Sequence, residues 1–274
     1  MTKTEGSKQM LWRMLVGLGL AGMMVCPAAY GGYLRMTTEA DVKVENNNLN
    51  LQVKVTNNGD EPAINVRILA KVGDKELKSE VKEKMGVKES VTASLTQALP
   101  PGLKPGRYPL PVTVEFHDLN NYPFSALSVS TFHVQENPNA GLAFQPLSVD
   151  LELERTVHFT VKNTEAEAKK IKVTFFVPKE LTVPEREQED ELAPRSVKDI
   201  FFTLRNFSAL PSTYPIFAIM EYDQKGLHYT SVANLMVTIK KERSLYQRYR
   251  YLFSVLAGAL LLIFVLLQFR RKPR

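Results

Sequence analysis

The stretch Leu49-Asn50-Leu51-Gln52-Val53-Lys54-Val55-Thr56, followed at once by Asn57-Asn58-Gly59-Asp60, decides the fold. Apolar and polar residues alternate strictly over the first eight positions. A period of two puts Leu49, Leu51, Val53 and Val55 on one face, as a half-buried β-strand requires. Asn-Asn-Gly-Asp then reads as a turn, because Asn and Gly tolerate the positive φ that many turns need. Working outward, Ala63 to Ala70 forms the next run, with Ile64, Val66 and Ile68 on one face. Ser90 to Leu99, Val112 to Phe116 and Leu127 to Val134 continue the pattern. Pro100-Pro101-Gly102 and Lys104-Pro105-Gly106 break the chain between strands. Helical periodicity is absent until the last apolar segment. Short strands separated by turn signals predict a β-sandwich.

The second half repeats the first. Val53-x-Val55-Thr56-Asn57 returns as Phe159-x-Val161-Lys162-Asn163, 106 residues later. Tyr108-Pro109-Leu110 returns as Tyr214-Pro215-Ile216, and Glu115-Phe116 as Glu221-Tyr222, at the same offset. Three anchors at one spacing predict two tandem modules, residues 37–135 and 142–241, joined by a linker at 136–141 (Glu-Asn-Pro-Asn-Ala-Gly). About 100 residues suffices for a module with its own core. The Tyr-Pro pair has a mechanical reading. Proline favours a strand start or edge, and a buried tyrosine before it could fix a loop through its hydroxyl.

This pattern resembles the Ig-like modules of bacterial and archaeal cell-envelope proteins, of the CARDB and NEW3-like kind. The resemblance rests on Leu49 to Asn58, Ala63 to Ala70 and Arg107 to Phe116. In the second copy it rests on Thr156 to Asn163, Ile171 to Pro178 and Thr213 to Tyr222. It implies an Ig-like binding or spacer unit. It carries no family catalytic set, so no residue role transfers. The second copy departs from it at Asn163-Thr164-Glu165, where the first has Asn-Asn-Gly.

The ends read differently. Lys3, Lys8 and Arg13 precede an apolar run from Met14 to Val25, and small residues flank Pro27. Residues 1–28 therefore read as a secretory signal peptide, cleaved after Ala28 or near Ala29-Tyr30-Gly31, with an uncleaved anchor as the rival. Val25 before Cys26 argues against a lipoprotein signal. Residues 251–269, YLFSVLAGALLLIFVLLQF, contain no charge and have the length of a membrane-spanning helix. Tyr246, Tyr249 and Tyr251 resemble an interfacial cluster. Residues 270–274 would be a short basic cytoplasmic tail, with the bulk exported to the periplasm or exterior.

The formal net charge is +6 over 274 residues. Residues 1–28 carry +2, residues 240–250 carry +4 and residues 270–274 carry +4, which leaves the body at −4. A nucleic-acid surface calls for a basic patch on the domain itself, so nucleic acid is not the expected partner. The single cysteine, Cys26, excludes an intramolecular disulfide framework.

No constellation for chemistry emerges. His133 and His158 fall on the polar side of their strands, His117 sits near a strand end and His228 in a hairpin. A zinc site needs three or four convergent ligands, and no HExxH, GxSxG, Walker loop or GxGxxG occurs. The run Glu185-Arg186-Glu187-Gln188-Glu189-Asp190-Glu191 supplies carboxylates that could bind Ca²⁺. It lacks the EF-hand pattern and reads, like its counterpart Ser79 to Met85, as a solvated charged hairpin. Asn206-Phe207-Ser208 fits the glycosylation acceptor pattern. Catalytic, cofactor and metal residues are therefore expected to be none. The expected function is a non-catalytic, membrane-anchored envelope protein that binds a protein or glycan through loops and strand edges. The alternative is an accessory subunit of a membrane transporter or membrane enzyme, with Ala257, Gly258 and Ala259 as a helix-packing patch.

Overall fold

The structure, a computed structural model, describes residues 33–240 and 245–270, and within the last helix the side chains of residues 249, 251–260, 262 and 263. The chain is mostly β, in several sheets that pack as sandwiches. Its first half contains β1 (Met36–Glu45), β2 (Asn48–Asn57), β3 (Ala63–Val72), β4 (Lys75–Lys78), β5 (Lys82–Met85), β6 (Ser90–Ala98), β7 (Gly106–His117) and β8 (Pro123–Val134). The second half contains β9 (Leu142–Phe144), β10 (Leu147–Leu151), β11 (Glu154–Asn163), β12 (Lys169–Phe176), β13 (Leu181–Thr182), β14 (Glu187–Leu192), β15 (Val197–Asn206), β16 (Thr213–Gln224) and β17 (Leu227–Ile239).

Each half closes around its own buried cluster. In the first, the sheet β1-β2-β6 packs on β8-β7-β3, whose far edge carries β4 and β5. Leu49, Leu51, Val53 and Val55 are at most 1% exposed, as their alternation requires. In the second, β9-β11-β15-β13 packs on β14-β12-β16-β17-β10. Val157, Phe159 and Val161 occupy the inward positions there. A single parallel bridge, His228 to Gly106, joins β17 to β7 and fuses one sheet from each half into a ten-stranded sheet.

The turn after β2 forms where expected, for a different reason. None of Asn57, Asn58, Gly59 and Asp60 has positive φ. Gly59 is there because a Cβ at that position would lie 2.4 Å from the Tyr33 carbonyl oxygen. Residues 33–35 pack against this turn. Asn58 donates its N–H to the Arg35 carbonyl and Asp60 to the Tyr33 carbonyl. In the second half, Thr164 donates in the same way to the Gly141 carbonyl, 106 residues on from Arg35. Asn65 takes φ 54° within an irregular step of β3, a conformation Asn adopts more readily than a bulky residue.

The segment 136–141 is strapped down rather than loose. Asn137 accepts from Arg107, Ala140 is 3% exposed, and the Ala140 carbonyl accepts from the Tyr222 hydroxyl. The acidic run is an edge strand, not a hairpin. β14 pairs antiparallel with β12, with Glu189 opposite Lys172 and Glu191 opposite Lys170. Its counterpart β5 likewise pairs with β3. Dense charge suits both, because a charged edge resists pairing with a second chain.

The expectation of a single-pass membrane protein is corrected. Residues 251–269 lie in α1 (Leu245–Arg270), whose path is broken at Tyr249 by non-helical dihedrals. Among the described residues no helix is long and apolar enough to cross a membrane. The signal peptide at 1–28 and the tail beyond Arg270 lie outside the described residues.

Candidate functional site

The two halves repeat their polar staples atom for atom. Asn57 is fully buried. Its Nδ2 donates to the carbonyls of Glu61 and Gly86, and its Oδ1 accepts from the Gly59 N–H. Asn163 is also fully buried. Its Nδ2 donates to the carbonyls of Glu167 and Ala193, and its Oδ1 accepts from the Glu165 N–H. Each amide thus pins two loops that would otherwise leave buried backbone groups unpaired. The tyrosines behave as their sequence suggests. Tyr108 donates its hydroxyl to the Lys104 carbonyl at 2.8 Å, and Tyr214 to the Leu210 carbonyl at 3.0 Å. Burial, with the Glu180 charge second, pushes the Tyr214 phenol up to about 12.

The halves then meet through faces that a lone sandwich would leave wet. Leu69 on β3 and Leu127 on β8 point away from the first core, and Phe217 and Ile219 on β16 point away from the second. All four are 9% exposed or less, yet none belongs to either core cluster. Polar ties flank this apolar strip. Glu180 is 2% exposed and accepts from the N–H and hydroxyl of Ser125, both at 2.7 Å. Tyr122 donates to the Ser208 carbonyl, and Lys179 pairs with Glu115. Thr230 donates to the Arg107 carbonyl at 2.7 Å.

His228 marks the other end of the joint. Its Nδ1 lies 2.7 Å from Asp223 and its Nε2 3.2 Å from Glu221, both on β16. Its ring stacks on Tyr108 of the first half, with centroids 4.3 Å apart. Lys104, also of the first half, pairs with Asp223 at 2.7 Å. Burial alone would lower the imidazolium pKa. The hydrogen bonds and negative charge of Glu221 and Asp223 outweigh it, so His228 sits above its ordinary value. Burial also opposes the Asp223 carboxylate, but Lys104 and His228 hold it below its usual range. A cleft of about 250 Å³ opens beside the joint, walled by Leu103, Tyr108, Pro109 and Phe132 from one half and Phe176 and Ile219 from the other.

The second half also holds a fully buried lysine side chain. Lys169 donates to Glu165 at 2.7 Å, to the Tyr222 hydroxyl at 2.8 Å and to Gln224 at 3.3 Å. Its ammonium lies 4.3 Å from the Tyr222 ring centroid, within cation–π range. Burial and the Glu165 charge raise the Tyr222 pKa.

No protein-family model matches the chain, and no curated protein matches its sequence. Among solved structures, it is similar to the native Escherichia coli alpha-2-macroglobulin, at 11% identity and a TM-score of 0.30. That match covers 75% of this chain and 17% of the macroglobulin. It is similar to a Porphyromonas gingivalis W83 protein of unknown function, at 13% identity and a TM-score of 0.30, covering 75% of this chain and 99% of that one. Red sea bream transglutaminase matches at 11% identity and a TM-score of 0.26, covering 88% of this chain and 34% of that one.

The residues singled out from sequence do not converge. His133 and His158 are exposed, the latter against Phe201. His117 is half-buried, and its Nδ1 has no hydrogen-bond partner among the described residues. His228 lies in the β16–β17 hairpin as expected, with its side chain only 16% exposed. Within the acidic run, Glu187 pairs with Lys172 and Asp190 with Lys198. The Asn206 amide donates to the carbonyls of Glu152 and Ala209. Sequence reasoning misses the joint, although β16 carries its signal. Ile216-Phe217-Ala218-Ile219-Met220 is apolar without alternation, the pattern of a strand buried on both faces.

Proposed function

We propose that the chain is a non-catalytic protein-interaction unit, built from two tandem Ig-like modules held as one rigid body. The supporting observation is the joint. Leu69, Leu127, Phe217 and Ile219 are buried between the halves, and Ser125, Glu180, Thr230 and His228 tie the margins. An interface of this kind fixes the relative orientation of two binding surfaces, where a flexible linker would let them reorient. The polar clusters act in the same sense. The asparagines and the two tyrosines hold backbone in place, and the Tyr108–His228 stack and the Lys104–Asp223 pair hold one half against the other.

Purification of the tagged chain from its native host, followed by mass spectrometry and stoichiometry, tests this reading. One protein partner recovered near one-to-one is the expected result. Recovery of the chain alone, or of turnover with any small substrate, would overturn it.

A further inference from the structure

The two halves treat one sheet edge differently. In the first, β1 pairs with β2 along its whole length, from Met36 opposite Asn57 to Glu45 opposite Asn48. In the second, β9 starts in the same register, with Leu142, Ala143 and Phe144 opposite Asn163, Lys162 and Val161. The positions are those of Met36, Thr37 and Thr38 moved on by 106. Gln145 still donates its N–H to the Thr160 carbonyl. Then the chain leaves. Pro146 has no N–H to offer, and β10 crosses to the other sheet, where it pairs with β17.

The outer edge of β11 from Glu154 to Phe159 is consequently unpaired by any described residue. Its inner edge is filled by β15 throughout. The direction of the free groups follows from the Gln145 bond. Thr160 points its backbone toward β9, so the N–H and C=O of His158 and Thr156 point the same way. The side chains of Glu154, Thr156 and His158 are exposed beside them. Unlike β14 and β5, this edge is not blunted by dense charge, a proline or a bulge.

We propose that the outer edge of β11, residues 154–159, receives an extended strand from the partner protein, antiparallel to β11 and in the register that β1 takes on β2. This rests on the reading of the chain as a protein-interaction unit and names where its partner binds. The repeat also specifies the occupant. By the 106 offset, positions 40, 42 and 44 of β1 correspond to the residues opposite Phe159, Val157 and Arg155. In β1 these are Ala40, Val42 and Val44, which pack against the first core. The occupant is apolar at those alternate positions. On the outer face it carries a carboxylate opposite His158, where β1 has Asp41, and a long polar side chain opposite Thr156, where β1 has Lys43. Main-chain bonds give the affinity and the alternate side chains the selectivity, as in other strand additions.

A synthetic peptide of residues 36–45, MTTEADVKVE, is the probe, added to the full chain. Amide hydrogen exchange of Thr156 and His158 is expected to slow by about tenfold or more. N-methylation of the peptide at its Asp41 and Lys43 positions, whose amides would face β11, is expected to weaken binding by about tenfold or more. N-methylation at its Ala40 and Val42 positions is expected to have little effect. These peptide variants leave the protein untouched; His158→Pro, which removes one free donor, is the companion change on the chain. Absence of protection at residues 154–159, or equal binding by both methylated peptides, would overturn the proposal. So would a dimer of the chain, sealed at this edge, that the peptide does not dissociate. A one-to-one partner recovered from the host despite those outcomes would leave the interaction reading standing and remove only its assignment to β11.

Discussion

Position 63 in the first half and position 169 in the second lie 106 residues apart at the start of equivalent strands, and they carry opposite chemistry. Ala63 is fully buried opposite Met85. Lys169 is buried opposite Leu192, with Glu165, Tyr222 and Gln224 taking its hydrogen bonds. Around them the scaffold is the same. Asn57 and Asn163 make matching bonds, and Tyr108 and Tyr214 close matching loops. One backbone plan therefore accepts either an apolar plug or a charged one, provided that every proton of the charged one has an acceptor. The polar version reaches further. Through Tyr222 it holds the Ala140 carbonyl, and so ties the connecting segment to the second half.

That contrast can be broken most sharply by exchanging the two chemistries. Ala63→Lys places an ammonium at a fully buried position opposite Met85, where Gly59 and Phe116 stand in place of Glu165 and Tyr222, and is expected to cost at least about 4 kcal/mol. Denaturant unfolding followed by circular dichroism would show it. A loss below about 1 kcal/mol would mean that the first half rearranges to supply partners. Asn57→Ala and Asn163→Ala come next, at about 3 kcal/mol each, because each leaves two loop carbonyls unpaired. Near-equal losses sharpen the equivalence of the halves, and a large inequality breaks it. Lys169→Met keeps the volume, removes the charge and frees Glu165 to hydrate, so stability is expected to stay within about 1 kcal/mol. A larger loss would show that the ion cluster itself, and not the filled space, stabilises the second half.

Tyr214→Phe is expected to cost about 1 kcal/mol and Tyr108→Phe less, since Tyr108 is the more exposed of the two. The smallest effect is that of His228. The folded protein binds its proton more tightly than the unfolded chain does. Its stabilising contribution is therefore complete below about pH 6.5 and is lost as pH rises through the raised folded value. The stability advantage of the wild type over His228→Gln, below about 1 kcal/mol in all, is expected to shrink as pH rises above about 6.5 and through the raised folded value. An advantage that grows with pH would be incompatible with the carboxylate pairing.

Much of this architecture can be read from the chain. Strict alternation at Leu49 to Val55 reports burial of one face. The asparagine and tyrosine pairs reveal the repeat because each does the same local job twice. The joint is harder to see. Its members come from strands far apart in sequence, and Leu69 and Leu127 look like single lapses in a polar face. Lys169 has only Glu165 as a local partner, for its two acceptors on β16 sit more than fifty residues away. The open edge of β11 depends on a strand that is missing, and only Pro146 hints that the preceding strand stops short. The apolar C-terminal segment is legible as a helix, whereas its reading as a membrane span does not hold for the described residues.

The crossing of β10 to β17 also bears on mechanical load. β10 follows the connecting segment by way of the three-residue β9, and β17 leads out at Ile239, so tension between the first half and residue 240 pulls β10 and β17 from opposite ends. They run parallel over five residue pairs, Leu147–Leu151 against Leu235–Ile239. The load falls on all those bonds at once, in shear, and none can be unzipped singly. In the first half, β1 remains antiparallel on β2, and among the described residues no strand runs parallel to β8. Stretched along the chain, the second half is the part built to resist, and the first is the part expected to yield.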